Sequence, residues 1–379
     1  MDSYGCAVFA PSEIHCTADA RRLARSRLPW MVFDYIDGAA GEGHGQALNH
    51  AALRDLRLQP RILVNVTHRD LGVRIFDHDA TCPFGISPMG MCNLSVPGAD
   101  LMLARIAARH QAPVGVSTVA STSLETMFET AEGHAWFQLY ISGDGSGTQN
   151  LVDRAQACGY RTLVLTLDVP EVGRRPRELR RGFKMPFKIG PRQFVDFAMH
   201  PRWSLSTLVR GRPELANFVG PEDRFDRTES RAAADWDQLD RLREAWRGNL
   251  VVKGVLSVDD AIRLKAAGID AIQVSSHGGR QLDSAPPPIL ALRRIREAVG
   301  RDYPLFYDTG IRSGEDIVKA YAMGADFVFI GRAFLFALAT RGEAGLQQLW
   351  DILSEETSLT LAQIGRTSMH SLADTIVPD

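Results

Sequence analysis

The sequence predicts a closed parallel (β/α)8 barrel of the TIM type, with an N-terminal helical lead-in and a long insertion after its fourth strand. From residue 83 onward, eight short apolar or β-branched runs alternate with stretches of helical periodicity, and this repeated alternation is typical of such barrels. A doubly wound open sheet is the alternative, but no Gly-x-Gly-x-x-Gly motif opens a helix after the first run. The length of 379 residues fits one barrel. We therefore predict one domain over residues 1–379, with residues 169–233 as an insertion within it.

The position of each element follows from where its periodicity starts and stops. Residues 17–57 carry a helical apolar stripe that Pro29 and the glycine-rich stretch 38–45 interrupt. The predicted strands occupy residues 83–87, 113–117, 135–140, 162–167, 250–253, 271–275, 304–307 and 326–330. Helices are predicted at residues 99–109, 124–131, 150–157, 236–246, 258–267, 289–299 and 315–322.

The composition describes an ordinary soluble protein that acts on small molecules. A net charge of -2 gives no basic excess for nucleic acid. The five cysteines are scattered, without the spacing of a zinc site or a disulfide framework, so we expect no metal and a reducing compartment. No apolar stretch reaches about 18 residues, and the N-terminus lacks the pattern of a secretory signal, so we expect a cytoplasmic protein.

The predicted insertion is basic and aromatic in its first half and shows little periodicity. Its cations are Arg174, Arg175, Arg177, Arg180, Arg181, Lys184, Lys188, Arg192, Arg202, Arg210 and Arg212. Such a patch could place residues 184–219 on an anionic membrane surface, peripheral to the inner face of the cell membrane. Equally, it could be a solvated loop with some arginines turned toward an anionic ligand.

Polar residues follow almost every predicted strand, at the end where barrels carry their active sites. The last two strands are followed by residues 308–312 (Asp-Thr-Gly-Ile-Arg) and by Gly331 and Arg332. Glycines and arginines on these two loops indicate a phosphorylated cofactor, because backbone N–H groups and guanidinium bind phosphate there. Tight turns and helix caps would explain either loop singly, but explain both less well.

A histidine and an arginine lie three residues apart after the sixth strand, within residues 274–283 (VSSHGGRQLD). His277 can take a proton near neutral pH, and Arg280 can hold a carboxylate at two points; a solvent-facing turn is the alternative. Asp168 would orient His277 and raise the pKa of its imidazole. The alternative is that Asp168 is only a structural cap. Lys253 ends an apolar strand and would need a negative partner such as the edge of a reduced flavin. A Schiff-base lysine ranks second.

These motifs resemble the FMN-dependent 2-hydroxy acid oxidases and dehydrogenases across almost the whole chain. The matching segments are residues 32–35 (VFDY), 136–140 (WFQLY), 166–170 (TLDVP), 173–175 (GRR), 252–254 (VKG), 274–283, 308–312 (DTGIR) and 330–332 (IGR). Residues 200–205 (HPRWSL) and 215–219 (LANFV) are similar to the mandelate dehydrogenase branch, with likeness to the bacterial L-lactate dehydrogenases. Ser276 departs from the family's asparagine, which puts the packing of this loop beside the flavin in question.

The resemblance implies a role for each matched residue. It makes His277 the base and Asp168 its partner, assigns the substrate carboxylate to Arg280, Arg175 and Tyr35, and the substrate hydroxyl to Tyr140. The implied FMN-binding positions are Pro88, Met89, Gly90, Ser117, Gln138, Thr166, Lys253, Ser275, Asp308, Gly310, Arg312, Gly331 and Arg332. Gly90 and Val119 replace larger residues of glycolate oxidase and so imply a bulky substrate.

We therefore expect oxidation of a bulky or aromatic 2-hydroxy acid such as mandelate to its 2-oxo acid, with electrons passed to a quinone, in a homotetramer. An oxidase that uses O2 on lactate or glycolate, and a maturation enzyme acting on a peptide-derived group, would share the catalytic residues. A flavin barrel for an isoprenoid or nucleotide, or a non-enzymatic docking barrel, would not need them. The sequence leaves open whether the proton leaves carbon or oxygen.

Overall fold

The computed structural model describes residues 13–141, 146–183, 189–211, 213–218 and 230–377, and the side chains of residues 146 and 147 are not described. An antiparallel hairpin, β1 (Val73–Ile75) and β2 (His78–Ala80), precedes a closed barrel of parallel strands. The barrel strands are β3 (Phe84–Met89), β4 (Val114–Ser117), β5 (Ala135–Leu139), β6 (Thr162–Thr166), β7 (Asn249–Val255), β8 (Ala271–Val274), β9 (Leu305–Asp308) and β10 (Phe327–Ile330). They correspond to the eight predicted strands, which confirms the (β/α)8 prediction.

The barrel closes where β10 pairs with both β9 and β3, for example Val328 with Phe84. Its interior is packed with aromatic rings, and the Trp136 ring centroid lies 5.3 Å from that of Phe329 and 5.5 Å from that of Phe306. Phe76, in the turn of the β1–β2 hairpin, packs edge-on against Phe306 at 5.6 Å. The hairpin, which the sequence did not predict, therefore packs against this aromatic core, and the cavity described below opens at the carboxyl ends of the strands.

The helices of the barrel follow the predicted periodicities closely. They are α4 (Ala99–Arg109), α5 (Leu124–Thr130), α6 (Ser146–Cys158), α10 (Trp236–Ala245), α11 (Val258–Ala266), α12 (Pro288–Val299), α13 (Gly314–Ala322) and α14 (Arg332–Gln363). The last is interrupted at Arg341 and Gly342, which have non-helical backbone angles. The lead-in consists of α1 (Thr17–Arg27), α2 (Trp30–Asp37) and α3 (His44–Asp55), separated at Pro29 and at the glycine-rich stretch as predicted.

The insertion contains more structure than the sequence indicated. Three short helices, α7 (Pro176–Arg180), α8 (Pro191–Ala198) and α9 (Pro201–Arg210), each begin with proline, whose missing N–H is not needed in a first turn. The sequence of the insertion shows little periodicity although it forms helices, because helices of one to three turns contain too few repeats for a periodicity. Residues 184–188, 212 and 219–229, which include the predicted cations Lys184, Lys188 and Arg212, lie outside the described residues.

The insertion is fastened to the lead-in helix that reaches the barrel mouth. The carboxylate of Asp196 on α8 accepts hydrogen bonds from the backbone N–H groups of Trp30 at 3.0 Å and Met31 at 3.3 Å. These are first-turn donors of α2, and Pro29 before them supplies no side-chain cap. Asp34 of α2 also binds the guanidinium groups of Arg177 and Arg181. The insertion thus fixes α2, the helix that carries Tyr35.

Candidate active site

A cavity of about 1170 Å³ opens at the carboxyl ends of the barrel strands and gathers most of the predicted site residues. The predicted residues that line it are Tyr35, Pro88, Met89, Gly90, Ser117, Tyr140, Arg175, Lys253, His277, Arg280, Asp308, Gly310, Arg312, Gly331 and Arg332. The other four, Gln138, Thr166, Asp168 and Ser275, lie directly behind this lining, within contact of its members or at the adjoining strand ends. The fold therefore brings together in one cavity residues that lie far apart in the sequence, up to the 297 positions between Tyr35 and Arg332.

His277 and Asp168 form a hydrogen-bonded pair at the cavity wall. Nδ1 of His277 lies 3.0 Å from Oδ1 of Asp168, and the His277 side chain is 22% exposed, toward the cavity. Asp168 can approach because Gly254 stands behind it: a Cβ at Gly254, whose φ is +100°, would lie 2.5 Å from the Cβ of Asp168. With Nδ1–H donated to the carboxylate, Nε2 is left as the nitrogen that can accept a proton.

The pKa of His277 lies below its ordinary value, although Asp168 raises it as predicted. Burial, the largest influence, lowers the pKa of His277 below its ordinary value, and the charge of Asp168 raises it by less. The effect of Asp168 has the predicted sign, and the depth at which the imidazole is buried, which the sequence does not show, sets the net direction. In the same pair, His277 and Lys253 hold the pKa of Asp168 below its ordinary value although burial raises it. The pair therefore combines a neutral imidazole with a carboxylate anion near neutral pH.

The two predicted carboxylate-binding arginines converge on a buried glutamate. Nη1 of Arg280 donates to the carbonyl oxygens of Tyr35 and Gly38, both at 2.8 Å, and its Nη2 donates to Oε1 of Glu178 at 2.8 Å. Nη1 of Arg175 lies 3.6 Å from the same carboxylate oxygen. Glu178 is 3% exposed and holds both guanidinium groups at one wall of the cavity. This role was missed in the sequence, because Glu178 lies in a basic stretch 102 residues before Arg280.

Two aromatic residues complete the same wall. The Tyr35 ring stacks on Phe183 with centroids 4.5 Å apart, and its hydroxyl donates to the carbonyl oxygen of Gly90 at 3.3 Å. The guanidinium of Arg231 lies 5.0 Å from the Tyr140 ring centroid. Burial, and to a smaller extent the charge of Asp168, raises the pKa of the Tyr140 phenol. This hydroxyl therefore stays a hydrogen-bond donor. Arg231, which also lines the cavity, was missed because it stands in an alanine-rich stretch without a motif.

The loops that follow β9 and β10 have the chemistry of a phosphate site. Arg312 and Arg332 are both half-buried, and burial lowers their pKa values to about 10 and about 9. The charge of Arg312 lowers the pKa of Arg332 further, and Nη1 of Arg332 is buried without a hydrogen-bond partner among the described residues. Next to them, burial and then these two charges lower the pKa of His50 to about 4. A phosphate dianion would relieve this concentration of positive charge.

Polar groups at the ends of β5, β6 and β7 fit the polar edge of a flavin. Nε2 of Gln138 and Oγ1 of Thr166 are buried and lack hydrogen-bond partners among the described residues. Nζ of Lys253 donates to Oγ of Ser275 at 2.8 Å and lies 3.2 Å from Oδ2 of Asp308. The ion pair with Asp308 suits a lysine beside the electron-rich edge of a flavin and disfavours the Schiff-base alternative. The residues present therefore fit FMN: Gln138, Thr166 and Lys253 would hold the polar edge of the flavin, and Arg312 and Arg332 would hold the phosphate.

The departure at Ser276 is accommodated by a neighbouring helix. Nδ2 of Asn49 on α3 donates to Oγ of Ser276 at 3.0 Å, and Ser276 is 6% exposed. The shorter side chain is thus fixed from the lead-in, and the loop still presents His277 to the cavity.

Comparisons with known proteins agree with this geometry. The sequence profile of the FMN-dependent dehydrogenase family matches residues 24–378. The chain is 38% identical over 362 residues to (S)-mandelate dehydrogenase of Pseudomonas putida, covering 94% of this chain and 91% of that protein. It is 36% identical over 375 residues to L-lactate dehydrogenase of Pseudomonas putida strain GB-1, covering 95% and 97% of the two chains. A crystal structure of the monotopic membrane protein (S)-mandelate dehydrogenase superposes with a TM-score of 0.92 at 37% identity, covering 97% of this chain and 100% of that chain.

Proposed function

We propose, from the premise that this chain belongs to the FMN-dependent dehydrogenase family, that it oxidises an aromatic 2-hydroxy acid of the mandelate kind to the corresponding 2-oxo acid. The observation that carries the proposal is the position of His277, paired with Asp168 at 3.0 Å, on the same cavity wall as Arg280. FMN, when bound, supplies the acceptor for the two electrons that leave the substrate.

The residues of this wall divide the work of binding and proton transfer. Three of the five N–H groups of Arg280 serve Tyr35, Gly38 and Glu178, so two donors remain among the described contacts for a substrate carboxylate. Arg175 adds a second positive charge beside it, and the protonated phenol of Tyr140 donates to the substrate hydroxyl. Nε2 of His277 takes the proton from carbon or from oxygen, and Asp168 then stabilises the imidazolium.

The size of the substrate pocket supports a bulky side chain. Gly90 and Val119 lie side by side in the cavity lining, and a Cβ built on Gly90 would stand only 2.5 Å from Cγ2 of Val119. Leu215 and Val169 add apolar surface to the lining. An aryl group gains from such a wall, and each methylene-sized volume is worth about 1–3 kcal/mol of discrimination.

The test is anaerobic mixing of the yellow protein with a panel of acids while flavin absorbance is followed. The panel contains both enantiomers of mandelate and of lactate, glycolate, and 2-hydroxy acids with longer alkyl chains. We expect one mandelate enantiomer to bleach the flavin fastest. Bleaching by none of them would contradict the proposal, and a preference for glycolate would contradict the pocket assignment. Admission of oxygen or of a soluble quinone analogue to the bleached protein then identifies the acceptor, and we expect the quinone to reoxidise it faster.

We further propose that the insertion attaches the protein to a membrane surface, through residues 184–219. Among the described residues of this stretch, α9 buries no side chain, and Leu208 and Val209 are 80% and 83% exposed. Phe194 on α8 is 68% exposed. Large exposed apolar side chains on two helices that contact each other favour a membrane contact. The surrounding exposed cations, Arg192, Arg202 and Arg210, would face anionic headgroups.

No helix in the described part of the chain has both the length and the apolar character to cross a bilayer. The test is flotation with vesicles of phosphatidylcholine and phosphatidylglycerol. We expect the wild-type protein to float and a Leu205→Ser/Leu208→Ser/Val209→Ser variant to remain at the bottom, with flavin bleaching unchanged because none of these three residues lines the cavity. A wild-type protein that ignores the vesicles would contradict the membrane proposal without affecting the chemistry. The homotetramer stays a prediction, which light scattering would test.

A further inference from the structure

Thr309 has a backbone conformation that its residue type avoids. It follows Asp308 at the carboxyl end of β9 and lines the cavity, with a φ of 97°. A β-branched residue at positive φ is a real outlier, whereas glycine adopts such an angle without strain. Strained residues of this kind persist where the surrounding structure fixes them, and they concentrate at functional sites. The contacts that fix Thr309 in this conformation, and those that Thr309 makes to neighbouring loops, therefore bear on the function of the site.

The hydroxyl of Thr309 joins the β9 loop to the loop that carries His277. Its Oγ1 accepts the backbone N–H of Ser276 at 3.3 Å and the backbone N–H of Gly278 at 3.3 Å. The same hydroxyl donates to Oδ1 of Asp308 at 2.9 Å. One donated and two accepted bonds are the full capacity of a hydroxyl group. A glycine or an alanine at this position could make none of them.

Thr309 is itself fixed from the barrel. Its carbonyl oxygen accepts the hydroxyl of Tyr307 at 2.8 Å, and Tyr307 is fully buried. Asp308 accepts the hydrogen bond from this hydroxyl, and its Oδ2 accepts a second one from Nε2 of Gln273 at 2.8 Å and lies 3.2 Å from Nζ of Lys253. The Thr309 hydroxyl is thus a rigid point rather than a mobile one.

We propose that Thr309 is a positioning residue that sets the placement of His277 through its hydroxyl group. The two N–H groups that it accepts come from the residues immediately before and after His277. The N–H of His277 itself donates to Oγ of Ser275 at 2.9 Å. Two hydroxyls therefore hold three successive N–H groups and keep His277 in its own left-handed conformation, with φ at 54°. This inference rests on the proposed function, because it gives the placement of His277 a consequence for proton transfer.

The experiment compares purified holoenzymes of three variants with the wild type. Thr309→Val keeps the shape and removes the hydroxyl, Thr309→Ser keeps the hydroxyl, and Thr357→Val makes the same exchange at a buried threonine whose hydroxyl donates within its own helix, to Leu353. Anaerobic flavin bleaching by mandelate gives the rate, and benzoylformate titration gives the affinity for a 2-oxo acid. FMN content and hydrogen exchange of the amides of residues 276–278 report on the loop without any turnover.

We expect Thr309→Val to slow bleaching about tenfold or more, because small misplacements of a reacting group cost this much, and to speed exchange at residues 276–278. FMN content and benzoylformate affinity should stay within about twofold, and Thr309→Ser and Thr357→Val should bleach within about threefold of the wild type. Wild-type rates in Thr309→Val, equal losses in Thr309→Ser, or loss of FMN together with rate would each overturn the inference. If no 2-hydroxy acid bleaches even the wild type, the proposed function fails, and the exchange comparison still decides whether Thr309 fixes the loop.

Discussion

Replacement of Gly90 by alanine should change which acids the protein prefers. The added Cβ would lie 2.5 Å from Cγ2 of Val119 and 3.3 Å from the Val119 carbonyl oxygen, whereas ordinary contacts begin near 3.4 Å, so Val119 or the new methyl must move by about 1 Å into the cavity. Overpacking of this kind costs about 1–3 kcal/mol. If this cost falls on a substrate side chain that occupies the same space, kcat/KM for mandelate should drop about 5- to 150-fold, because each 1.36 kcal/mol changes the rate constant tenfold.

The assay is kcat/KM for mandelate and for lactate, measured with the same artificial acceptor in Gly90→Ala and in the wild type. Lactate, whose methyl group is smaller, should lose much less, so the ratio of the two constants falls. The double variant Gly90→Ala/Val119→Ala removes the clashing methyl and should recover most of the ratio. An unchanged ratio in Gly90→Ala, or no recovery in the double variant, would refute the assignment of this wall to the substrate side chain.

Two other predictions concern the base and the cofactor phosphate. Because burial lowers the pKa of His277 from 6.5, kcat/KM should fall on the acid side with an apparent pKa below 6.5. Asp168→Asn removes a charge that raises this pKa, so the acid limb should move to lower pH while the rate falls; a pH profile that moves upward contradicts the pairing. Arg332→Leu should weaken FMN binding about tenfold or more, since a charged hydrogen bond contributes about 1.5–3 kcal/mol, and leave riboflavin binding unchanged; fluorescence titration measures both, and equal losses would remove the phosphate assignment.

The fold was predictable because each barrel strand is buried on both sides and therefore reads as an uninterrupted apolar run. The eight runs were found within one or two residues of the strands in the structure. The hairpin was not found, because Val73–Ile75 and His78–Ala80 have three residues each, fewer than an alternating pattern needs. The insertion helices were missed for a similar reason: their stability comes from contacts such as that of Asp196 with α2, which no local window contains.

The candidate site was predictable as far as it follows from topology. Residues after successive parallel strands share one rim of a barrel, which brings His277, Asp168 and Arg280 together without any knowledge of distances. Glu178 was not predictable in its role, because its partner Arg280 lies 102 residues further along the chain. The direction of the His277 pKa shift was also beyond the sequence, since it depends on how deeply the imidazole is buried against how close Asp168 comes.

Proton removal by His277 is the central step of the proposed oxidation. A His277→Gln variant keeps a polar side chain of similar length, but its amide nitrogen cannot take up a proton near neutral pH. After purification it should remain yellow with normal FMN content, and its anaerobic bleaching by the best acid of the panel should slow by a factor on the order of 10² to 10⁴. A yellow His277→Gln protein that bleaches at the wild-type rate would contradict the account.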